Sequence, residues 1–101
     1  EMLLIGERVS AAEAERIGLI GRVVPDGEAL KHALEIAAKI AANAPLSVQA
    51  VKRAVQESEG LTEAEGLAKE LEIGVGIFGT NDAKEGTLAF KEKRTPNFTG
   101  T

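Results

Sequence analysis

The sequence predicts an all-α fold of five to six short helices. Two Ser/Thr-x-x-Glu patterns, Ser10–Glu13 and Thr62–Glu65, have the form of a capping box, which marks the start of a helix. Apolar residues recur at intervals of three and four from Leu30 to Ala44, as expected for one face of a helix. The apolar, β-branched stretch Leu19–Val24 is too short to form a sheet alone.

The first predicted helix begins after Ser10 and continues through Ile17. In the capping box, the Ser10 side chain accepts from the backbone of Glu13, and the Glu13 carboxylate reaches back to Ser10. Gly18 then lies where a left-handed residue commonly ends a helix. Leu19–Val24, closed by Pro25, is predicted to be a short extended segment.

Two further helices follow, separated by a proline. We expect Asp26 to cap the longest helix, Gly27–Asn43, whose apolar ridge is rich in alanine and permits close approach of a partner helix. Pro45 breaks the pattern and suits the first turn of the next helix, which is predicted to end near Glu57.

The capping box at Thr62 opens a helix that the apolar pattern extends as far as Phe78. Gly74 and Gly76 each cost about 1 kcal/mol relative to alanine inside a helix. The second half of this helix is apolar on nearly all sides, which is typical of a segment buried between other elements.

The last predicted helix begins at Thr80, a good N-cap residue, and ends before Pro96 because the residue preceding a proline avoids helical geometry. Lys91, Lys93 and Arg94 gather positive charge at its C-terminal end, where the helix dipole favours it. One interpretation is simply a well-capped terminal helix. The other is that Phe90 and Lys93, three positions apart on one face, hold an aromatic and an anionic group of a ligand.

Composition limits the possible functions. The chain has 101 residues, enough for one domain, and its formal charge of −4 argues against a general nucleic-acid-binding protein. With no cysteine, it has no disulfide, thiolate metal site or cysteine nucleophile. No apolar run approaches the ~18 residues of a membrane span. We predict no metal site, since the chain lacks a suitable set of ligands.

No residue of the chain is predicted to be catalytic. His32 is the only histidine and lies off the apolar ridge of its helix, so a solvated position is expected. The serines lie at helix ends or on helix surfaces without a partnered base. Six glutamates are expected to be solvated, because they flank helix ends or occupy polar faces: Glu57, Glu59, Glu63, Glu65, Glu70 and Glu72.

Three stretches of the chain carry a family resemblance. AFKEKRTPNF resembles the C-terminal AF-x-EKR-x-P-x-F pattern of the crotonase (enoyl-CoA hydratase/isomerase) family. GERVSAAEAERIGLIGRVVPDGE is similar to the stretch that follows the catalytic half of these proteins, and IAANAPLSVQAVKRAV to the helix pair after it. The resemblance implies that Met2–Ile5 ends a helix begun upstream. It also implies that residues 1–101 are a C-terminal helical assembly domain, the family's trimerisation domain, from a longer protein whose N-terminal spiral domain is absent.

The resemblance implies a function as well. The parent protein would hydrate 2-trans-enoyl-CoA to 3-hydroxyacyl-CoA in fatty-acid oxidation, without a cofactor. Phe90 and Lys93 match the family residues that contact the adenosine and phosphate end of coenzyme A bound mainly by a neighbouring subunit. The catalytic groups would lie upstream, so this chain alone is expected to be inactive. We further expect self-association, as in the family's trimers and hexamers, and a cytoplasmic location.

Two alternatives stay open from the sequence. The first is another crotonase chemistry: enoyl-CoA isomerisation, thioester hydrolysis or dihydroxynaphthoyl-CoA synthesis, since the terminal motif recurs across these. The second is a stand-alone helical interaction module with no enzyme attached.

Overall fold

The computed structural model describes residues 1–101 and contains only helices, turns and irregular segments. Six α-helices and one 3₁₀ helix are present, and the all-α prediction is confirmed. In chain order they are α1 (Met2–Ile5), α2 (Ala11–Arg16), α3 (Ala29–Ala41), α4 (Pro45–Glu57), α5 (Glu63–Gly74), the 3₁₀ helix (Val75–Gly79) and α6 (Asn81–Glu92).

The chain divides into two units, Glu1–Glu35 and Ile36–Thr101. In the first unit, Ser10 caps α2 as predicted by accepting from the Glu13 amide at 3.2 Å. The Glu13 carboxylate does not reach back, however, because it pairs with Arg16, whose Nε lies 2.7 Å away. Only half of the predicted capping box therefore forms. Gly18 adopts the expected left-handed conformation, with φ of 76°.

The extended segment predicted at Leu19–Val24 is wrong for its first half. Residues 19–21 form bends, and no strand follows them. The backbone amide of Val23 donates to the Glu15 carboxylate at 2.9 Å. A side chain of α2 thus accepts the backbone hydrogen bond that a neighbouring strand would otherwise provide.

Helix α3 is shorter than predicted at both ends. Gly27 has φ of 79°, a left-handed conformation that a helix cannot include, and the Glu28 amide donates to the Pro25 carbonyl in a turn. The helix accordingly begins at Ala29, and Asp26 is not its cap. At the other end, α3 stops at Ala41, and the side chain of Asn43 donates back to the Lys39 carbonyl at 2.9 Å.

The second unit contains α4, α5, the 3₁₀ helix and α6. Helix α4 begins at Pro45 and ends at Glu57, as predicted. The capping box at the start of α5 is complete: the Thr62 hydroxyl accepts from the Glu65 amide, and the Glu65 carboxylate accepts from the Thr62 amide at 2.9 Å. Helices α4 and α5 pack against each other, and the 3₁₀ helix contacts both of them and α6.

The predicted helix through Phe78 changes character at Gly74. The α-helical pattern ends there, and Val75–Gly79 continues as a 3₁₀ helix. Gly74 and Gly76 weaken the α-helical preference of this segment, which explains a tighter, less regular turn at that position. The expectation that this segment is buried is not met within this chain, where the Phe78 side chain is 81% exposed.

Helix α6 begins as predicted, with the Thr80 hydroxyl accepting from the Ala83 amide at 3.1 Å. It ends at Glu92, before the predicted limit, because Lys93 adopts a left-handed conformation. Pro96 therefore does not end the helix; the chain has already turned away three residues earlier.

Very little of the chain is buried within it. Ala14, Ala89 and Asp82 are the buried residues, and the two alanines are the whole apolar core. Leu67, Leu71 and Phe78 are more than half exposed although they lie on predicted core faces. The apolar faces of the second unit are thus formed but left uncovered.

Candidate ligand-contact site at the end of the last helix

The site is built on an unusual helix end. Lys93 has φ of 55° and ψ of 37° and is the one non-glycine residue of the chain with positive φ. The Lys93 amide donates to the Phe90 carbonyl at 3.2 Å, and the Arg94 amide donates to the Ala89 carbonyl at 3.0 Å. This pattern is a C-terminal capping motif in which glycine usually occupies the left-handed position. Here a lysine occupies it.

The chain that leaves this turn is held by Glu85. Arg94 forms a bidentate ion pair with the Glu85 carboxylate, with Nη1–Oε1 at 2.6 Å and Nη2–Oε2 at 2.9 Å. Glu85 Oε1 also accepts from the Asn97 backbone amide at 2.7 Å. Arg94 Nε donates to Glu92 at 2.6 Å. We call Glu85, Arg94 and the Asn97 amide the Glu85 clamp.

The clamp shifts the pKa values of both of its charged side chains. The Arg94 guanidinium, helped by the Asn97 amide, lowers the pKa of Glu85 from its ordinary value of 4.5 to about 2. The same contacts raise the pKa of Arg94 further above its usual range, with Glu85 as the main cause and Glu92 as the second. Both groups are charged at neutral pH, so the clamp is an ion pair there. The Glu85 side chain is 22% exposed, which reduces its screening by solvent.

A second carboxylate holds the end of the chain. Asp82 is 3% exposed and accepts from the backbone amides of Thr99 and Gly100 at 2.7 and 2.8 Å. Its own amide donates to the Thr101 carbonyl at 3.1 Å. Residues 97–101 are therefore bound to α6 through two acids, Asp82 and Glu85, one helical turn apart.

Phe90 and Lys93, the predicted coenzyme A contacts, lie at this helix end. The Phe90 side chain is 88% exposed, so its ring is not part of a core within the chain. Lys93 is also exposed. Helical spacing does not place the two side chains on one face, because Lys93 lies outside α6 in a left-handed conformation. Their contact with coenzyme A stays a prediction.

Asp82 and Glu85, the two acids that hold the tail, are not among the residues predicted from the sequence to form a site. Their spacing of three places them on one face of α6, which is the signal that could have indicated a shared contact. The course of residues 94–101 depends on the left-handed Lys93, and no sequence rule predicts a lysine in that conformation.

An apolar groove lies elsewhere in the second unit, along α4, α5 and the 3₁₀ helix, with a volume of about 790 Å³. Its walls include Val51 and Val55 of α4, Leu67 and Leu71 of α5, and Phe78. These five side chains are between 59% and 81% exposed. The groove is a candidate surface for association.

The remaining candidate residues are surface groups. His32 lies between two carboxylates of its own helix, 3.3 Å from Glu28 and 3.4 Å from Glu35, and is part-exposed. No group of three or more His, Cys, Asp or Glu side chains is arranged to hold a metal ion. None of the helices has both the length and the apolar content needed to cross a membrane.

Comparison with known proteins identifies the family. The family model described as Enoyl-CoA hydratase/isomerase matches residues 1–101. Over 98 residues the chain is 52% identical to enoyl-CoA hydratase EchA19 of Mycobacterium tuberculosis, covering 97% of this chain and 37% of that protein. It is 39% identical over 100 residues to the 2,3-dehydroadipyl-CoA hydratase of Escherichia coli, covering 99% of this chain and 39% of that protein.

Solved structures give the same result. The crystal structure of enoyl-CoA hydratase EchA1 from Mycobacterium marinum matches with a TM-score of 0.88 and 44% identity, over 97% of this chain and 39% of that one. An enoyl-CoA hydratase from Bacillus anthracis matches with a TM-score of 0.89 and 41% identity, over 94% of this chain and 37% of that one. The chain thus spans less than half the length of these relatives. It belongs to the enoyl-CoA hydratase/isomerase family.

Proposed function

We propose that this chain is the coenzyme-A-contacting and assembly segment of a protein that hydrates 2-trans-enoyl-CoA to 3-hydroxyacyl-CoA. One observation carries the proposal: relatives named as enoyl-CoA hydratases match the chain over 97% or more of its length at 37–52% identity. The family match runs over residues 1–101 and so includes α6 and the EKR sequence, residues 92–94, at its end.

The chemistry belongs to the part of the relatives that this chain does not span. Hydration of an enoyl thioester requires donors that stabilise negative charge on the thioester oxygen, together with acids that move protons. In the crotonase family those donors are backbone amides of the N-terminal spiral domain. The present chain offers no partnered acid and base around an open site, so we assign no catalytic residue to it.

Phe90 and Lys93 contribute substrate binding in this proposal. The uncovered ring of Phe90 provides a flat apolar surface for adenine, and the Lys93 ammonium provides a point charge for a phosphate group. By resemblance to the family, the coenzyme A they contact is bound mainly by a neighbouring subunit. The ligand class is therefore an acyl-CoA thioester, and its acyl group lies away from this segment.

Self-association is the second part of the proposal. The groove along α4 and α5 leaves apolar side chains uncovered that a stable protein normally buries. Burial of apolar surface contributes ~25 cal/mol per Å², and this gain exceeds the entropy cost of association once several hundred Å² per partner is covered. A closed, symmetric assembly is the expected result.

Isomerisation of enoyl-CoA is a second candidate reaction, because the matching family model is described as hydratase/isomerase. Both reactions develop negative charge on the thioester oxygen and differ in their proton-transferring groups. The segment proposed here would serve either reaction in the same way. A cytoplasmic location also stays a prediction, since the relatives include proteins named as mitochondrial.

The test uses the longer protein that carries this segment, assayed with crotonyl-CoA. Lys93→Ala and Phe90→Ala should each raise KM by up to about fivefold while leaving kcat nearly unchanged, as expected for a partly exposed contact remote from the reacting atoms. A collapse of kcat with unchanged KM would contradict the proposed binding role. Comparing hydration of the 2-enoyl thioester with isomerisation of the 3-enoyl thioester separates the two candidate reactions.

A further inference from the structure

Lys93 is held in a conformation that its own side chain disfavours. Every other residue of the chain with positive φ is a glycine: Gly6, Gly18, Gly27, Gly60 and Gly100. A residue with a Cβ atom is crowded in the left-handed region, because the Cβ comes close to the following carbonyl oxygen. Such conformations persist when the surrounding structure fixes them, and they concentrate at functional sites.

Contacts on both sides fix Lys93. On its N-terminal side, the carbonyls of Ala89 and Phe90 accept from the amides of Arg94 and Lys93. On its C-terminal side, the Glu85 carboxylate holds the Arg94 guanidinium by two hydrogen bonds and the Asn97 amide by a third. Because Glu85 belongs to the body of α6, it ties the departing chain back to the helix two turns before its end.

We propose that Glu85 is a positioning residue for acyl-CoA binding: through Arg94 and the Asn97 amide it fixes the left-handed turn at Lys93 and thereby the direction in which the Lys93 ammonium meets a phosphate group of coenzyme A. This inference rests on the proposed function, since it assigns Lys93 the phosphate contact. The Arg94 guanidinium is paired with Glu85 and Glu92, so it is not itself the phosphate ligand. The bidentate pair uses a guanidinium fork, a geometry that lysine cannot reproduce.

Glu92 provides a matched control. It lies on the same helix end and also accepts from Arg94, but by a single contact to Nε, and it does not reach the chain beyond the turn. Glu92→Gln therefore removes one negative charge near Arg94 without opening the clamp. Glu85→Gln removes the same charge and weakens all three contacts that Glu85 makes beyond the turn.

The experiment measures kcat and KM for crotonyl-CoA in the longer protein that carries this segment. Glu85→Gln should raise KM by about the factor found for Lys93→Ala, up to about fivefold, with kcat unchanged, whereas Glu92→Gln should leave KM unchanged. In the Lys93→Ala background, Glu85→Gln should add no further increase, because the two residues act through one contact. Arg94→Lys should resemble Glu85→Gln, which gives a second variant if the first folds poorly.

The outcomes separate this inference from the proposed function. An unchanged KM in Lys93→Ala contradicts the proposed phosphate contact and, with it, the positioning role. A raised KM in Lys93→Ala with an unchanged KM in Glu85→Gln overturns the positioning role alone. Effects of Glu85→Gln and Lys93→Ala that multiply in the double variant also overturn it, because Glu85 would then act independently of Lys93.

Discussion

Lys93 ends the last helix in a position that glycine commonly occupies, and its backbone conformation can be tested apart from its charge. Replacing it by glycine removes both the Cβ crowding and the ammonium, whereas replacing it by alanine removes only the ammonium. Comparing the two variants therefore isolates the cost of the left-handed conformation.

We predict that Lys93→Gly is more stable than Lys93→Ala by about 1 kcal/mol, since glycine adopts the left-handed region at little steric cost. Urea unfolding of the two variants measures the difference. Equal midpoints with equal slopes would show that Lys93 is not held left-handed in solution.

Glu85 gives the chain a defined response to acid. Its pKa is lowered from 4.5 to about 2, so the folded protein binds the proton less readily than the unfolded chain. The stabilisation from the clamp is therefore complete above about pH 4.5 and is lost as the pH falls toward about 2.

We predict that the stability difference between the unsubstituted chain and Glu85→Gln shrinks across that range, because protonation of Glu85 has the same effect as the substitution. Denaturant unfolding of both proteins at several pH values tests this. Other carboxylates also titrate there, but they contribute to both proteins equally. A difference that stays constant with pH would mean that Glu85 does not hold its ion pair with Arg94.

Three glycines lie where α5 changes to the 3₁₀ helix. Gly74, Gly76 and Gly79 all have negative φ, and a Cβ added at any of them meets no atom of the chain within 4 Å. The glycines are thus not required by the fold of this chain. Because glycine has a low helix propensity, these residues weaken the α-helical preference of the segment.

We predict that Gly76→Ala raises helix content and stabilises the chain by up to about 1 kcal/mol, following the difference in helix propensity. Gly60→Ala is the matched control and should destabilise it, because Gly60 has φ of 78°. Circular dichroism with thermal unfolding measures both. A destabilising Gly76→Ala would indicate that another copy of the chain approaches this backbone closely.

The sequence predicted an element correctly where the contacts that determine it join residues close together in the chain. The starts at Ser10, Thr62 and Thr80 were predicted, because an N-cap involves residues only three apart. The start of α3 was missed because Asp26 has the residue type of an N-cap. The left-handed conformation of Gly27, however, prevents a helix from beginning directly after it. At the candidate site, Phe90 and Lys93 followed from a motif as ligand contacts, and these contacts stay predictions. The clamp did not, because it joins Glu85 to Arg94 and Asn97 across a turn whose direction the sequence does not reveal.

At the scale of the whole molecule, this chain forms helices whose apolar faces it does not cover. Two alanines are its buried apolar residues, whereas the groove of α4 and α5 presents Val, Leu and Phe side chains to solvent. We therefore predict that the chain self-associates as a dimer or trimer. Sedimentation equilibrium over a hundredfold range of concentration tests this, and a 10.6 kDa monomer throughout would contradict it.

We propose that this chain provides binding and assembly surfaces to an acyl-CoA enzyme and contains none of its catalytic groups. The most direct test is a steady-state assay of the 101-residue chain with crotonyl-CoA at high protein concentration, beside the longer protein that carries it. We predict turnover by the longer protein and none above background by the chain. Turnover by the chain that survives repurification would place catalytic groups among residues 1–101 and contradict the account.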